Sequence, residues 1–188
     1  MLGFHAIFGA YGFWLPNDPR GSWSQFVGSW ELSRFGPPTK VTTTHSLAHI
    51  EHDDNARLAA KAALKRPPVH LTGKQARSAA MGFKRAAFEG NYRFFACAIL
   101  PEHVHLVIGA TARAPKRAIA HLKTRAIQQL VADSLWPNPE LPAWSRGCWT
   151  VYLDSDADMR RAINYVEQNP QKERKPPQSW SFVLPYES

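Results

Sequence analysis

Two apolar runs, Tyr92–Leu100 (YRFFACAIL) and His103–Gly109 (HVHLVIG), are joined by only Pro101 and Glu102. A connection that short turns two strands into an antiparallel hairpin. The hairpin then fixes where its side chains point, because residues i and i+2 of a strand share a face. His103 and His105 therefore project together, and a third ligand within reach would complete a site for a divalent cation. Such a cation can polarise a phosphoryl group. Taken alone, the pair reads equally well as two satisfied core histidines.

The rest of the chain supplies the frame. Residues 4–10 (FHAIFGA) read as a first strand, and residues 11–55 as a loop-rich insertion dominated by Pro, Gly, Ser and Thr. His45, His49 and His52 could line one helix face and bind metal, but beside Asp53 and Asp54 they read more simply as a solvated helix start. Asn55 to Arg66 reads as a helix stopped by Pro67-Pro68, and Thr72 caps a second helix through about Phe88, ended by Gly90. Pro115 opens a third helix through about Asp133, with Ile119, Leu122, Ala126 and Leu130 at core spacing. Residues 148–153 (CWTVYL) are a last strand, and Asp156–Gln168 a short helix closed by Asn169-Pro170. The order predicts an α+β fold: a ferredoxin-like βαββαβ sandwich with an antiparallel sheet, plus a C-terminal helix. One domain over 1–188 is expected, ending in a short tail at about 171–188 that could dock or stay mobile.

Charge narrows the partner. The 188 residues carry 23 Lys and Arg against 15 acids, a net +8, at an ordinary 44% hydrophobic content. That excess suggests a polyanion, most simply nucleic acid. Arg117, Lys123 and Arg125 on the third helix could contact phosphates. Trp14, Trp23, Trp144 and Trp149 could stack on unpaired bases, although each alone reads first as packing. Cys97 and Cys148 make neither a disulfide framework nor a CxxC zinc pattern. No apolar run approaches a membrane span, and the start lacks a secretory pattern, so a reducing cytoplasm is the expected compartment.

The last helix, DSDADMRRAINYVEQNP, adds a nucleophile candidate. Met159, Ala162, Ile163 and Val166 form its apolar stripe. Tyr165 lies at the edge of that stripe, with Arg161 at i−4 and Asn169 at i+4 on one flank. A phenol between a cation and an amide could attack phosphorus. From the helix alone, a boundary tyrosine with its hydroxyl in water is the simpler reading.

Together these elements carry a resemblance. PEHVHLVIG resembles the signature of the HUH endonucleases, with Val104 as the hydrophobic residue. More closely, the chain is similar to the single-tyrosine transposases of that superfamily, including the REP-associated tyrosine transposases. The hairpin YRFFACAILPEHVHLVI, the block NYVEQNPQK, the segment FHAIFGAYGFWLPNDPRGSW and the basic helix HLKTRAIQQL carry it. The match spans about residues 4–172, with 28–75 poorly matched. The resemblance implies that His103, His105 and Asn169 are metal ligands and that Tyr165 is the catalytic nucleophile. It implies Mg²⁺ or Mn²⁺, the cations that suit an amide oxygen. It further implies single-stranded DNA, often with an adjacent hairpin, nicked and rejoined through a 5′-phosphotyrosine link. Arg161 is a candidate to activate the phenol. A monomer with a site in one chain and a homodimer with a shared site are both compatible with it.

Two other readings compete. Ferredoxin-like sheets also serve as non-catalytic DNA- or RNA-binding platforms, but the paired strands show no RNP-type aromatic pattern. A water-using metal phosphoesterase would need no tyrosine, and a two-histidine phosphoesterase would want two His-x-Ser/Thr motifs.

Overall fold

Strand β1 (Gly3–Gly9) lies inside a four-stranded sheet, between β3 (His103–Gly109) and β4 (Trp149–Leu153), with β2 (Phe94–Ile99) beyond β3. Every neighbouring pair is antiparallel. The helices are α1 (Asp54–Ala62), α2 (Gly73–Gly90), α3 (Pro115–Ala132) and α4 (Asp156–Lys172). The strand order β2-β3-β1-β4 makes each β–helix–β crossover skip one strand, which is the expected ferredoxin-like arrangement. The computed structural model describes residues 1–13, 32, 34–35 and 53–187. Most of the expected loop-rich insertion, with Trp14, Trp23, His45, His49 and His52, lies outside the described residues.

The sheet is covered on both sides. On one face Phe4, Ala6 and Phe8 of β1 and Val104, Leu106 and Ile108 of β3 meet α2 and α3 through Ala79, Phe83, Ile119, Leu122 and Ala126. On the other, Phe95, Ala96, Ala98, Val107 and Leu153 meet Met159 and Val166 of α4. Burial of both faces explains why β2 and β3 read as nearly continuous apolar runs rather than alternating ones. A register irregularity between Phe94 and Ala96 shifts β2. It lets Phe95 and Ala96 both serve the α4 side, as an extra residue in one strand does.

Local chemistry sets the helix ends. Thr72 forms a capping box with Gln75, and Ser155 forms one with Asp158. Helix α2 runs through Gly90, and Asn91 takes the left-handed turn (φ 50°) that closes it. Helix α4 runs past the expected stop. Pro170 sits inside it, buried, and the helix continues to Lys172. A proline so near the C-terminus forfeits one backbone bond, and Glu173 N–H to Asn169 O (3.3 Å) and Lys175 N–H to Pro170 O (2.8 Å) close the turn beyond it. Arg174 (φ 56°) then turns the chain.

The tail docks. Gln178 accepts from Ile99 N–H and donates to Ile99 O, both at 2.8 Å, so its side-chain amide pairs with the backbone of edge strand β2. Trp180 Nε1 donates to Cys97 O at 3.1 Å, and Leu184 N–H to Phe94 O at 2.8 Å. Edge strands left open invite pairing with other chains, and this strap covers one.

Helices α2 and α3 approach closely at Gly82. A Cβ there would lie 2.5 Å from Arg125 O and 2.6 Å from Ala126 Cα. Gly82→Ala sets a helix-propensity gain of about 1 kcal/mol against a backbone clash costing about 1–3 kcal/mol. The clash wins because neither contact is the end of a flexible side chain. Urea unfolding should show a net loss of stability; a more stable variant would mean the helices are free to separate.

Candidate active site

The two-residue period of β3 sorts its side chains. Val104, Leu106 and Ile108 enter the α2/α3 core, so His103, His105 and Val107 face the α4 side. His103 and His105 are both buried, with ring centroids 4.9 Å apart. Beside them in β1, Gly9 pairs with His103, Ile7 with His105 and His5 with Val107. Gly9 carries no side chain where one would collide with Phe13 at 2.8 Å. Phe13 uses that space to stack on His103, 4.7 Å between centroids and 24° between planes.

His5 is the diagonal cross-strand neighbour of His105. Its Nε2 lies 3.3 Å from His105 Nδ1, and the rings stack at 5.5 Å. Burial pulls the pKa of His5 down to about 4. Burial, then the charges of His103, His5 and Lys172, hold His105 well below the usual imidazole range. Both rings are therefore neutral at pH 7, the form that binds cations.

Helix α4 lays the tyrosine across this floor. Its stripe (Met159, Ala162, Ile163, Val166) packs on the sheet. Tyr165 at the stripe's edge keeps 43% of its surface exposed. Its ring centroid lies 5.7 Å from His105 and 5.8 Å from His5, all within one chain. Lys172 Nζ stands 4.5 Å from the Tyr165 ring centroid. Asn169, one turn after Tyr165, is buried. Glu173 Oε1 lies 3.4 Å from His103 Nε2. The last two turns of α4 and its C-cap Glu173 thus bring a phenol, an ammonium and a carboxylate to the histidine face.

The expected cation beside the phenol is Arg161. Its guanidinium instead pairs with Asp158 and points to solvent, and Lys172 takes the place against the ring. Lys172 and Glu173 lie beyond the proline at which the sequence reading stops the helix. Their positions i+7 and i+8 from Tyr165 are a helical signal once α4 is allowed to continue. His5 has a weaker signal: it is a lone polar residue in an apolar strand.

Helix α3 lies on the opposite face of the sheet, so Arg117, Lys123 and Arg125 are not brought to the histidines. Arg117 is exposed. Arg125 Nε donates to Glu89 at 2.6 Å and its Nη1 to Gln128 at 2.6 Å. Glu89 also holds Arg85 and His121, and its carboxyl is pulled down to about 2, with the Arg85 hydrogen bond the largest cause. Lys123 donates to Ser145 O (2.9 Å) and Gly147 O and sits over the Phe8 ring at 4.8 Å. Trp144 packs edge-on against Phe8 in the core, while Trp149 meets His5 edge-on at 5.7 Å. Cys97 and Cys148 are free thiols.

Among the described residues, no three His, Cys, Asp or Glu side chains form a metal-ligand set. The donors that converge on the α4 side are the His103 and His105 imidazoles, with the Glu173 carboxylate 3.4 Å from His103, and the Asn169 amide is buried on the same helix as Tyr165. A mixed nitrogen and oxygen set without thiolates is unlike the closed, Cys-containing sites of structural zinc and is compatible with a divalent cation that keeps open positions. No described helix is long and apolar enough to cross a membrane.

The chain matches no protein-family model and no curated protein. Among solved structures it is similar to a REP-associated tyrosine transposase bound to a REP hairpin, with 17% identity and a TM-score of 0.46. That alignment covers 58% of this chain and 62% of the other, less than two thirds of its length. It is also similar to a candidate transposase from Deinococcus radiodurans R1, with 13% identity, a TM-score of 0.45 and 89% of each chain covered. Likenesses this distant assign no activity, and the functional reading rests on the residues of the site.

Burial lowers the pKa of Lys123 from 10.5 to about 8. Between those values the unfolded chain holds a proton that the folded chain has released, so this side chain's contribution to stability rises with pH across the window. Below pH 8 both states hold the proton and the desolvation cost stands in full. Unfolding free energies of the wild type relative to Lys123→Met should therefore rise from pH 8 to pH 10. A difference that stays flat would place the ammonium in water.

Proposed function

We propose that this chain is a DNA transposase-type enzyme that nicks and rejoins single-stranded DNA through Tyr165. The observation that carries the reading is the Tyr165 ring lying 5.7 Å from the ring of His105, on the one sheet face that carries the histidine pair. His103, His105 and Asn169 would hold Mg²⁺ or Mn²⁺, which when bound neutralises charge on the scissile phosphate. Phe13 stacked on His103 and the His5 contact to His105 hold the two imidazoles in place. The Tyr165 oxygen bonds to phosphorus as the bond to the 3′ oxygen breaks. The phenol gives up its proton, the departing oxygen takes one up as a 3′ hydroxyl, and a 5′-phosphotyrosine remains. Attack by a 3′ hydroxyl on that link reverses the bonding and rejoins a strand. Lys172 places positive charge where the reaction accumulates negative charge. The partly exposed phenol leaves a strand room to approach.

The rest of the DNA needs a second surface. Helix α2 carries four Lys and Arg and α3 another four, eight in all against the single acid Glu89. Helix α4 carries three of each sign. The basic excess therefore lies on the layer away from Tyr165, where exposed side chains such as Lys116 and Arg117 suit a phosphate backbone. A hairpin stem is the partner we assign to it. The competing RNA-platform reading requires an open sheet face, and here helices cover both faces.

The test is a denaturing gel of end-labelled single-stranded hairpin DNA incubated with protein and Mn²⁺. Wild type should give a protease-sensitive protein–DNA adduct that Tyr165→Phe and chelator both abolish, with binding of the Phe variant near normal. Cleavage without an adduct would replace this reading with a water-using phosphoesterase. For the basic layer, Lys116→Ala and Arg117→Ala should each lower the salt slope of binding by about 1. An unchanged slope would move the DNA elsewhere.

A further inference from the structure

A neutral imidazole has one N–H and one lone pair, and a metal can take only the lone pair. His105 can therefore serve a cation through Nε2 only if its proton sits on Nδ1. Nothing in a free histidine enforces that choice. In this chain His105 Nδ1 faces His5 Nε2 at 3.3 Å, across a strand pair in which both rings are buried. The arrangement has two directions. If His5 donates, the proton of His105 goes to Nε2 and the ligand position is blocked. If His105 donates, its Nε2 lone pair is left open.

We infer that His5 is a positioning residue: its Nε2 accepts the Nδ1 proton of His105, so fixing the tautomer and ring angle in which His105 presents Nε2 to the cation. This rests on the metal-centred reading above and adds to it a role for a residue that lies outside the ligand pair. Three contacts hold His5 for that task. It stacks on His105 with 21° between planes, meets Trp149 edge-on at 5.7 Å, and lies under the Tyr165 ring at 5.8 Å. The His5 side chain therefore touches both the ligand and the nucleophile, and it couples the orientation of one to that of the other. Ring partners that fix a metal-binding histidine in this way contribute substantially to affinity.

The test uses two variants of the full chain that separate shape from chemistry. His5→Phe keeps a ring of similar size and removes the acceptor. His5→Gln puts an amide oxygen near the place of Nε2 and restores it. Imidazole ¹⁵N–¹H correlation on the metal-free wild type should show His105 protonated at Nδ1 and bare at Nε2, and the same in His5→Gln. His5→Phe should lose that preference. Calorimetric titration with Mn²⁺ should then show affinity falling roughly ten- to a hundredfold in His5→Phe and recovering in His5→Gln. His105 protonated at Nε2 in the wild type would overturn the inference, as would His5→Phe binding Mn²⁺ as tightly as the wild type. His103→Ala distinguishes the two levels of failure. If it loses Mn²⁺ while His5→Phe does not, the ligand assignment stands and the positioning role falls. If the wild type binds no Mn²⁺, the metal-centred reading falls and takes the inference with it.

Discussion

Everything in this chain turns on a strand that is buried on both sides and still has to carry two histidines. Strand β3 has no solvent face. Its Val104, Leu106 and Ile108 anchor the α2/α3 core, so register cannot slip by one residue without driving imidazoles into that core and aliphatics out of it. The apolar side therefore fixes the polar side. The same constraint reaches β1, where Phe4, Ala6 and Phe8 lock the alternation that sets His5 and Gly9 beside the pair. Helix α4 then completes the second layer, and its boundary tyrosine is delivered to the histidines by the packing of Met159 and Val166 beneath it.

Much of this was legible in the residues because it rests on local periodicity and local caps. The hairpin, the start of α2 at Thr72 and the apolar stripe of α4 follow from spacing, turn residues and capping chemistry. So does the common face of His103 and His105. What could not be read is pairing across distance. His5 and His105 meet across a hundred residues of chain, and no spacing rule links them. Lys172 and Glu173 were hidden by the usual weight given to proline as a helix stop, whereas Pro170 is tolerated in a last turn that closes beyond it. Lys123 and Arg125 show the converse. Sequence reports their charge but not that Ser145 O and Glu89 already engage it.

The tail illustrates how a side chain can stand in for backbone. A second strand along β2 would cover the edge with a ladder of main-chain bonds. Here one glutamine amide makes both bonds to Ile99, and an indole and one backbone N–H finish the edge. Tyr186 at the end of the strap packs against Phe95, on the face where α4 lies. The strap thereby joins the two cores at the sheet's rim and ties the far end of the chain to the layer that carries the tyrosine.

The division of charge between the layers has a mechanical corollary. A polynucleotide held by the basic helices and also by Tyr165 must bend around the rim of one small sheet, a path of a few nanometres. Duplex DNA stays straight over about 50 nm, so a continuous double helix could satisfy one face but not both. A stiff stem running into a slack single strand can satisfy the two at once. On this view the molecule would select its substrate through bending rigidity as much as through base identity: the required feature is a hinge in the nucleic acid, placed where the protein's own rim falls.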